Sequence, residues 1–246
     1  MHTVSKFSFD ALPEHLSQSV WTGAVMGKRH GPTMSSGHML LDANLPGEGW
    51  PAQSLTEILQ PQVGQGEWRL LMPAVRQLVR QGGSVILISP PYPPYLPALH
   101  QEGLSADRLI WVDTASQAQR LWATEQALQA SCLTAILVWL PHAKPEHMRR
   151  LQNCATQHPG LLFAMRPLAA RHESSAAPLR LALSLDKAPH PLQVQILKRK
   201  GPVLDQTLNL PCWQPALAHL ITPNGSMQHA TLDRVDTRAV NSLAVH

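Results

Sequence analysis

The sequence predicts an α/β protein with a mostly parallel sheet covered by helices on both faces. Continuous apolar runs of strand length, at 84–89 (SVILIS), 133–139 (LTAILVW) and 161–165 (LLFAM), alternate with segments of helical period. Strands that are apolar throughout belong in a sheet buried on both sides. Near the C-terminus the pattern changes. Residues 179–185 (LRLALSL) and 192–200 (LQVQILKRK) partly alternate apolar with polar, which predicts a small antiparallel extension with one solvated face.

Taken in order, residues 14–26 suggest a short helix with Leu16, Val20, Trp21 and Val25 on one side, followed by a loop. Gly47, Gly49 and Pro51 punctuate the next stretch, and 55–59 reads as a strand. Trp68, Leu71, Val75, Leu78 and Val79 then recur at helical spacing up to Gly82-Gly83. Pro73 is expected in the first turn of that helix, where its missing N–H costs nothing. After the 84–89 strand, the proline-rich stretch PPYPPYLP predicts an extended loop. A short strand at 109–112, a helix at 116–130 and a helix at 145–158 complete the alternation. Three segments follow from this: an N-terminal helix and linker (1–34), one α/β domain (35–220), and a polar tail (221–246) expected to be disordered.

With 44% hydrophobic and 15% charged residues, the composition is that of a globular chain. Net charge is +4, and it is uneven. Between Arg166 and Lys200 stand seven basic residues (Arg166, Arg171, Arg180, Lys187, Lys198, Arg199, Lys200) against Glu173 and Asp186. This predicts either a basic face for an acidic or nucleic-acid partner or a solvated edge. Cys132, Cys154 and Cys212 are too few and too far apart for a disulfide framework. No apolar h-region or 18-residue apolar run occurs, so a cytoplasmic protein without a membrane span is expected.

The stretch 61–71 (PQVGQGEWRLL) stands where a strand hands over to a helix. A phosphate-binding loop reads Gly, four residues, Gly, Lys, then Ser or Thr. With Gly66 as the second glycine, Pro61 replaces the first, Glu67 the lysine and Trp68 the hydroxyl residue. A carboxylate where an ammonium neutralises phosphates opposes a triphosphate. Gly64 and Gly66 also fit a plain strand-to-helix turn. Both readings predict that no nucleotide cofactor is held there. The 133–139 strand ends in Trp139, and no carboxylate for Mg²⁺ occurs between Leu133 and Lys144.

Several phrases resemble known proteins. Ser35, Ser36, Gly37, Leu41, Asp42, Gly47, Gly49, Trp50, Pro51 and Glu57, followed by the loop, resemble the front of the RecA family. Farther on, Ser89-Pro90-Pro91-Tyr92, Val138-Trp139-Leu140-Pro141, Arg166-Pro167 and Leu197-Lys198-Arg199-Lys200-Gly201 look like the RecA-like, nucleotide-incompetent group that contains ImuA and SulA. The resemblance implies a RecA-like fold with a degenerate P-loop and a non-catalytic role in the SOS response to DNA damage. Length and the basic strand point to the ImuA side: an adaptor of error-prone translesion synthesis. Its implied partners are an ImuB-type Y-family polymerase-like protein, an error-prone replicative-type polymerase and RecA, with DNA contact open. The alternative is a SulA-type division inhibitor that binds FtsZ; a DNA-dependent ATPase stands third.

Candidate partner-binding residues follow from exposure arguments. Trp139 is either a core residue or, with Leu140 and Pro141, an exposed docking patch. Tyr92 and Tyr95 sit on a rigid loop that either presents them to a partner at little entropic cost or packs over the sheet edge. Lys198, Arg199 and Lys200 either meet acidic groups or phosphates, or guard a sheet edge. No metal site is expected among the 13 histidines: only Cys154 and His158 share a predicted helix face. No residue is proposed as catalytic.

Overall fold

A computed structural model describes residues 31–130, 132–185, 192–202, 204 and 206–211, all within one compact unit, Met1–Cys212. The expected helix at 14–26, Lys187, Cys212 and the polar tail lie outside the described residues.

The chain runs β1 (Thr33–Met34), α1 (Met39–Asp42), β2 (Trp50–Pro51), β3 (Leu55–Gln60), α2 (Glu67–Arg80), β4 (Ser84–Ile88), α3 (Leu96–Gln101), β5 (Leu109–Val112), α4 (Gln117–Gln129), β6 (Thr134–Trp139), α5 (Pro145–Ala155), β7 (Leu161–Pro167), β8 (Leu179–Leu185), β9 (Leu192–Lys198) and β10 (Thr207–Leu210). β1 and β2 pair in a small antiparallel ribbon. The main sheet has the order β10-β9-β8-β3-β7-β6-β4-β5. β8, β3, β7, β6, β4 and β5 are parallel, and β9 and β10 add antiparallel strands at one end.

Each central strand is buried on both sides, as its unbroken apolar run requires. α2 sends Leu70, Leu71, Ala74, Val75 and Leu78 into one core, together with Trp50 and Phe163. The rings of Trp50 and Phe163 meet edge-to-face, with centroids 5.3 Å apart. On the opposite face, Leu128 of α4 and Met148, Leu151 and Ala155 of α5 cover Ile86, Ile136, Val138 and Leu162.

The structure departs from the sequence expectation at four points. β8 is not a half-solvated antiparallel strand. It runs parallel to β3 on one side and antiparallel to β9 on the other, so it is the hinge between the two halves of the sheet. Pro73 lies inside α2 rather than in its first turn. Its missing N–H frees a carbonyl one turn back, and His38 supplies a substitute donor. The His38 ring bonds the carbonyls of Leu70, at 3.2 Å from Nε2, and Arg69. Gly37, at φ 78°, lets the chain pass so close to Pro73 that a Cβ there would overlap its ring. Third, α5 ends at Ala155, so Cys154 and His158 do not share a helix face. His158 is buried and bonds Thr134 Oγ1 at 2.9 Å.

The fourth departure concerns charge. Arg166 and Arg180 do not belong to a basic face; both point inward, 3% and 7% exposed. The Glu57 carboxylate, fully buried in β3, accepts from Arg166 Nη1 at 2.9 Å and from Arg180 Nε at 2.7 Å. Arg166 Nη2 also donates to Glu173 Oε2 at 2.6 Å and to the Ala143 carbonyl at 2.6 Å, and Arg180 Nη2 donates to the Ala170 carbonyl. The two strands that flank β3 thus each deliver one guanidinium to its carboxylate. A buried charge is tolerated only when it is paired and hydrogen-bonded in this way.

Candidate functional site

In a parallel sheet, ligands sit beyond the carboxyl ends of the strands, where neighbouring connections leave in opposite directions. Here that point falls between β6 and β4. β6 continues to β7 on one side, and β4 continues to β5 on the other. The loops after β3, β4 and β6 gather at this edge.

The β3–α2 loop is tied to itself. Gly64 and Gly66 take φ of 83° and 89°, which favours glycine. Gly66 is the residue before the first turn of α2. Glu67 opens the helix and turns inward, 1% exposed. Its Oε2 accepts a 2.6 Å hydrogen bond from Gln60 Nε2, and its carboxylate also meets its own backbone N–H. The free N–H groups and dipole of a helix N-terminus attract an anion, and in α2 the chain's own carboxylate takes that position. Burial pushes the Glu67 carboxyl above its usual range, against the two hydrogen bonds that favour the charged form.

The loop after β4 begins with strain. Ser89 adopts φ 47°, a left-handed conformation unusual for a non-glycine residue. It is held there by its N–H to the Val112 carbonyl at 2.8 Å and by a 2.6 Å bond between its hydroxyl and Thr114 Oγ1. This bend directs the prolines outward. Tyr92 and Tyr95 are 66% and 71% exposed. The Tyr92 ring lies against Gly64: a Cβ added there would be 3.0 Å from Tyr92 Cε2. Gly64 is therefore favoured by its φ, and a Cβ there would press on the Tyr92 ring.

These loops enclose two clefts separated by Trp139. The first, of about 310 Å³, is lined by Gly64, Glu67, Trp68, Tyr92, Tyr95 and Trp139, among others. The second, also about 310 Å³, lies among Pro61, Pro91, Arg120, Trp139, Pro141 and Arg166. Trp139 is 4% exposed and Leu140 is fully buried, so they form no exposed patch; the indole is a wall. The structure thus brings together Gly64, Glu67, Trp68, Tyr92, Tyr95 and Trp139, all singled out from the sequence. Pro61 lines the second cleft, and Gly66 stands behind the loop.

Lys198, Arg199 and Lys200 are elsewhere. β9 is antiparallel to β8, and Lys198 pairs with Arg180, so the cluster sits near the amino ends of the parallel strands. β9 stops at Lys198, and the three residues are no continuous strand. Lys198 Nζ donates to the Ser175 carbonyl at 2.8 Å. Arg199 donates to the carbonyls of Pro202 and Asn44. Lys200 borders a separate cleft of about 300 Å³ with Thr33, Pro51 and Gln53.

Sequence reasoning missed Arg120 and the Glu57 cluster. Arg120 carries no motif. Arg180 was legible only as charge and Arg166 as charge and as part of the phrase Arg166-Pro167, and the strand register that turns them onto Glu57 is not a local signal. Among the described residues, no group of three or more His, Cys, Asp or Glu is arranged to hold a metal ion. No described helix is long and apolar enough to cross a membrane.

A scan against protein-family models finds no match. Among curated proteins, the chain is similar to the cell division inhibitor SulA of Serratia marcescens, 31% identical over 108 residues, which is 44% of this chain and 62% of that protein. SulA of Photorhabdus laumondii is 30% identical over 112 residues, 46% and 63% of the two chains. SulA of Pectobacterium atrosepticum is 31% identical over 102 residues, 41% and 61%. The chain spans about three fifths of the length of these curated relatives.

Proposed function

We propose that this protein is a non-catalytic SOS cell-division inhibitor of the SulA kind, with FtsZ as the partner that the resemblance implies. The observation that carries this reading is the 31% identity over 108 residues to a protein named for that activity. On this reading residues 35–220 form a RecA-like domain with a degenerate P-loop. The strand–loop–helix of β3 and α2 supports that reading, with a buried carboxylate standing where the phosphate-binding lysine would be. Binding then falls to the rim: Tyr92, Tyr95 and the Trp139 wall, with Lys198, Arg199 and Lys200 as a second, separate surface.

The curated relatives support this alternative over the translesion adaptor with ImuB-type, polymerase and RecA partners. The ATPase reading is weakened by the same loop, since Glu67 and Trp68 bring neither ammonium nor hydroxyl to a triphosphate.

Expression of the full chain in dividing bacterial cells tests the proposal. Filamentous growth with FtsZ recovered on the tagged protein is the expected result. Cells of normal length, with no FtsZ recovered, overturn it. Retention of Mg-ATP at micromolar concentration in a calorimeter would remove the non-catalytic part of the reading.

A further inference from the structure

We infer that the outer edge of β5 takes up one more strand: an extended segment of a protein partner, apolar on both faces and held by main-chain hydrogen bonds. This rests on the reading of the chain as a binder and goes beyond it, by assigning a surface outside the clefts.

β5 ends the eight-stranded sheet on its side, and among the described residues it pairs with β4 alone. The Ser89 N–H donates to the Val112 carbonyl at 2.8 Å, which fixes the direction of the other backbone groups on the strand. Alternate residues bond the neighbour in a parallel ladder. Ile110 and Val112 therefore turn their N–H and C=O to β4, and Leu109 and Trp111 turn theirs away. The Leu109 N–H is taken by the Ala106 carbonyl of the preceding turn. The Leu109 carbonyl and both backbone groups of Trp111 meet no partner among the described residues. The ligand that matches a row of outward main-chain groups is another extended backbone.

An open edge is normally guarded by a charge, a proline or a bulge. β5 reads Leu-Ile-Trp-Val, without charge or proline, and its register against β4 is unbroken. Leu109 packs toward the α2 core and Val112 toward the α4–α5 core. That leaves Trp111 48% exposed on the first face and Ile110 49% exposed on the second. The opposite edge differs: in β10, Leu208 and Leu210 are buried while Thr207 and Asn209 are exposed. A strand laid against β5 thus brings successive apolar side chains, one beside Trp111 and the next beside Ile110.

A second copy of this chain fits less well. A twofold axis has to set outward-bonding residues against each other. Centred on Ile110, the pairing opposes Val112 to Arg108. Centred on Trp111, it opposes Leu109 to Asp113. Centred on Leu109, it opposes Ile110 to Arg108 and Trp111 to Asp107. Each symmetric register sets a charge against an apolar side chain, and a strand of another protein is free of that constraint.

The test is amide hydrogen exchange of the ¹⁵N-labelled full chain, with the blocked peptide acetyl-Lys-Val-Ile-Val-Ile-Lys-amide as probe. In the free chain Trp111 is expected to exchange fast while Ile110 and Val112 are protected. Peptide at about ten times its dissociation constant is expected to slow Trp111 about tenfold and to leave Ile110 unchanged. The same peptide N-methylated at its central residues cannot donate and is expected to leave Trp111 fast. Trp111→Pro removes the outward donor without touching the ladder to β4. It is expected to weaken binding about tenfold, read from the Val112 amide shift, whereas Trp111→Val keeps the donor and binds within about threefold of the parent. Protected Val85 and Ile136 amides verify the fold of both variants; if the proline variant does not fold, the methylated peptide decides. Trp111 protected in the free chain, equal slowing by the methylated peptide, or no slowing at all overturns the inference. So does protection that rises with protein concentration alongside a dimer in sedimentation, which gives the edge to a second copy. If cells filament but no peptide slows Trp111, the edge assignment falls while the division-inhibitor reading stands. Donor-dependent slowing without filamentation upholds the edge and removes that reading.

Discussion

Glu67 and Gln60 share a 2.6 Å hydrogen bond inside the protein, joining the first residue of α2 to the last residue of β3. The bond closes the β3–α2 turn from within. It also keeps a carboxylate at a helix N-terminus under burial that opposes its charge.

Replacing Glu67 by Gln preserves the shape and the acceptor for Gln60 but removes the charge. The Glu67 carboxyl is raised above 4.5 in the folded state. Its contribution is therefore most favourable below the unfolded value and is lost as pH rises through the folded value. Denaturant unfolding should find the Gln variant more stable than the parent at pH 7.5, by on the order of 1 kcal/mol. The two should converge near the pH where the free carboxyl protonates.

Removing the Glu57 side chain leaves the buried Arg180 without its carboxylate and Arg166 with Glu173 alone. The Glu57→Ala variant should lose about 3–5 kcal/mol, the usual result of breaking a buried ion cluster on one side. Adding Arg166→Met and Arg180→Leu to it should restore part of the loss. Urea midpoints of the single and triple variants measure both effects.

Gly37 and His38 service the break in α2. The Gly37→Ala variant places a methyl group into Pro73 at a left-handed φ, and a loss of about 1–3 kcal/mol is expected. Burial holds the imidazoles of His38 and His158 below the usual value of 6.5. Here the unfolded chain binds more protons, so stability is full above pH 6.5 and is lost as pH falls from there through the folded values. Thermal unfolding between pH 7.5 and 5.5 should show that decline, and it should be smaller in a His38→Phe variant.

Tyr92 and Tyr95 are exposed, and their side chains should matter for contact more than for folding. The Tyr95→Ala variant should unfold within about 0.5 kcal/mol of the parent. Under the proposed function, Tyr92→Ala with Tyr95→Ala should weaken recovery of FtsZ by about tenfold, the scale of an aromatic anchor at an interface. Co-purification with matched expression, alongside cell-length counts, checks this.

The parallel sheet was legible because doubly buried strands carry unbroken apolar runs: β5 falls at 109–112 as expected, and β4 and β6 lie within a residue of their predicted limits. The β3–α2 loop was legible because glycines at defined spacing have few alternative uses. β8 was misjudged because LRLALSL alternates. Its two polar residues are Arg180, which is buried by pairing across strands, and Ser184, which is exposed near the end. Pro73 was misplaced because its tolerance depends on His38, which lies 35 positions earlier. The second cleft had no sequence signature: Arg120 sits on a helix whose period predicts burial of Leu121, Trp122 and Leu128, of which Trp122 is instead 63% exposed, and says nothing of Arg120's partners.

The Glu57 cluster also determines where the polypeptide can be cut. A fragment that stops before β8 would keep the acid in the middle strand together with Arg166 but lose Arg180, and with it the antiparallel end of the sheet. The five parallel strands without β8 are thus not a free-standing module. Any shortened version intended for expression has to carry the chain past Leu185.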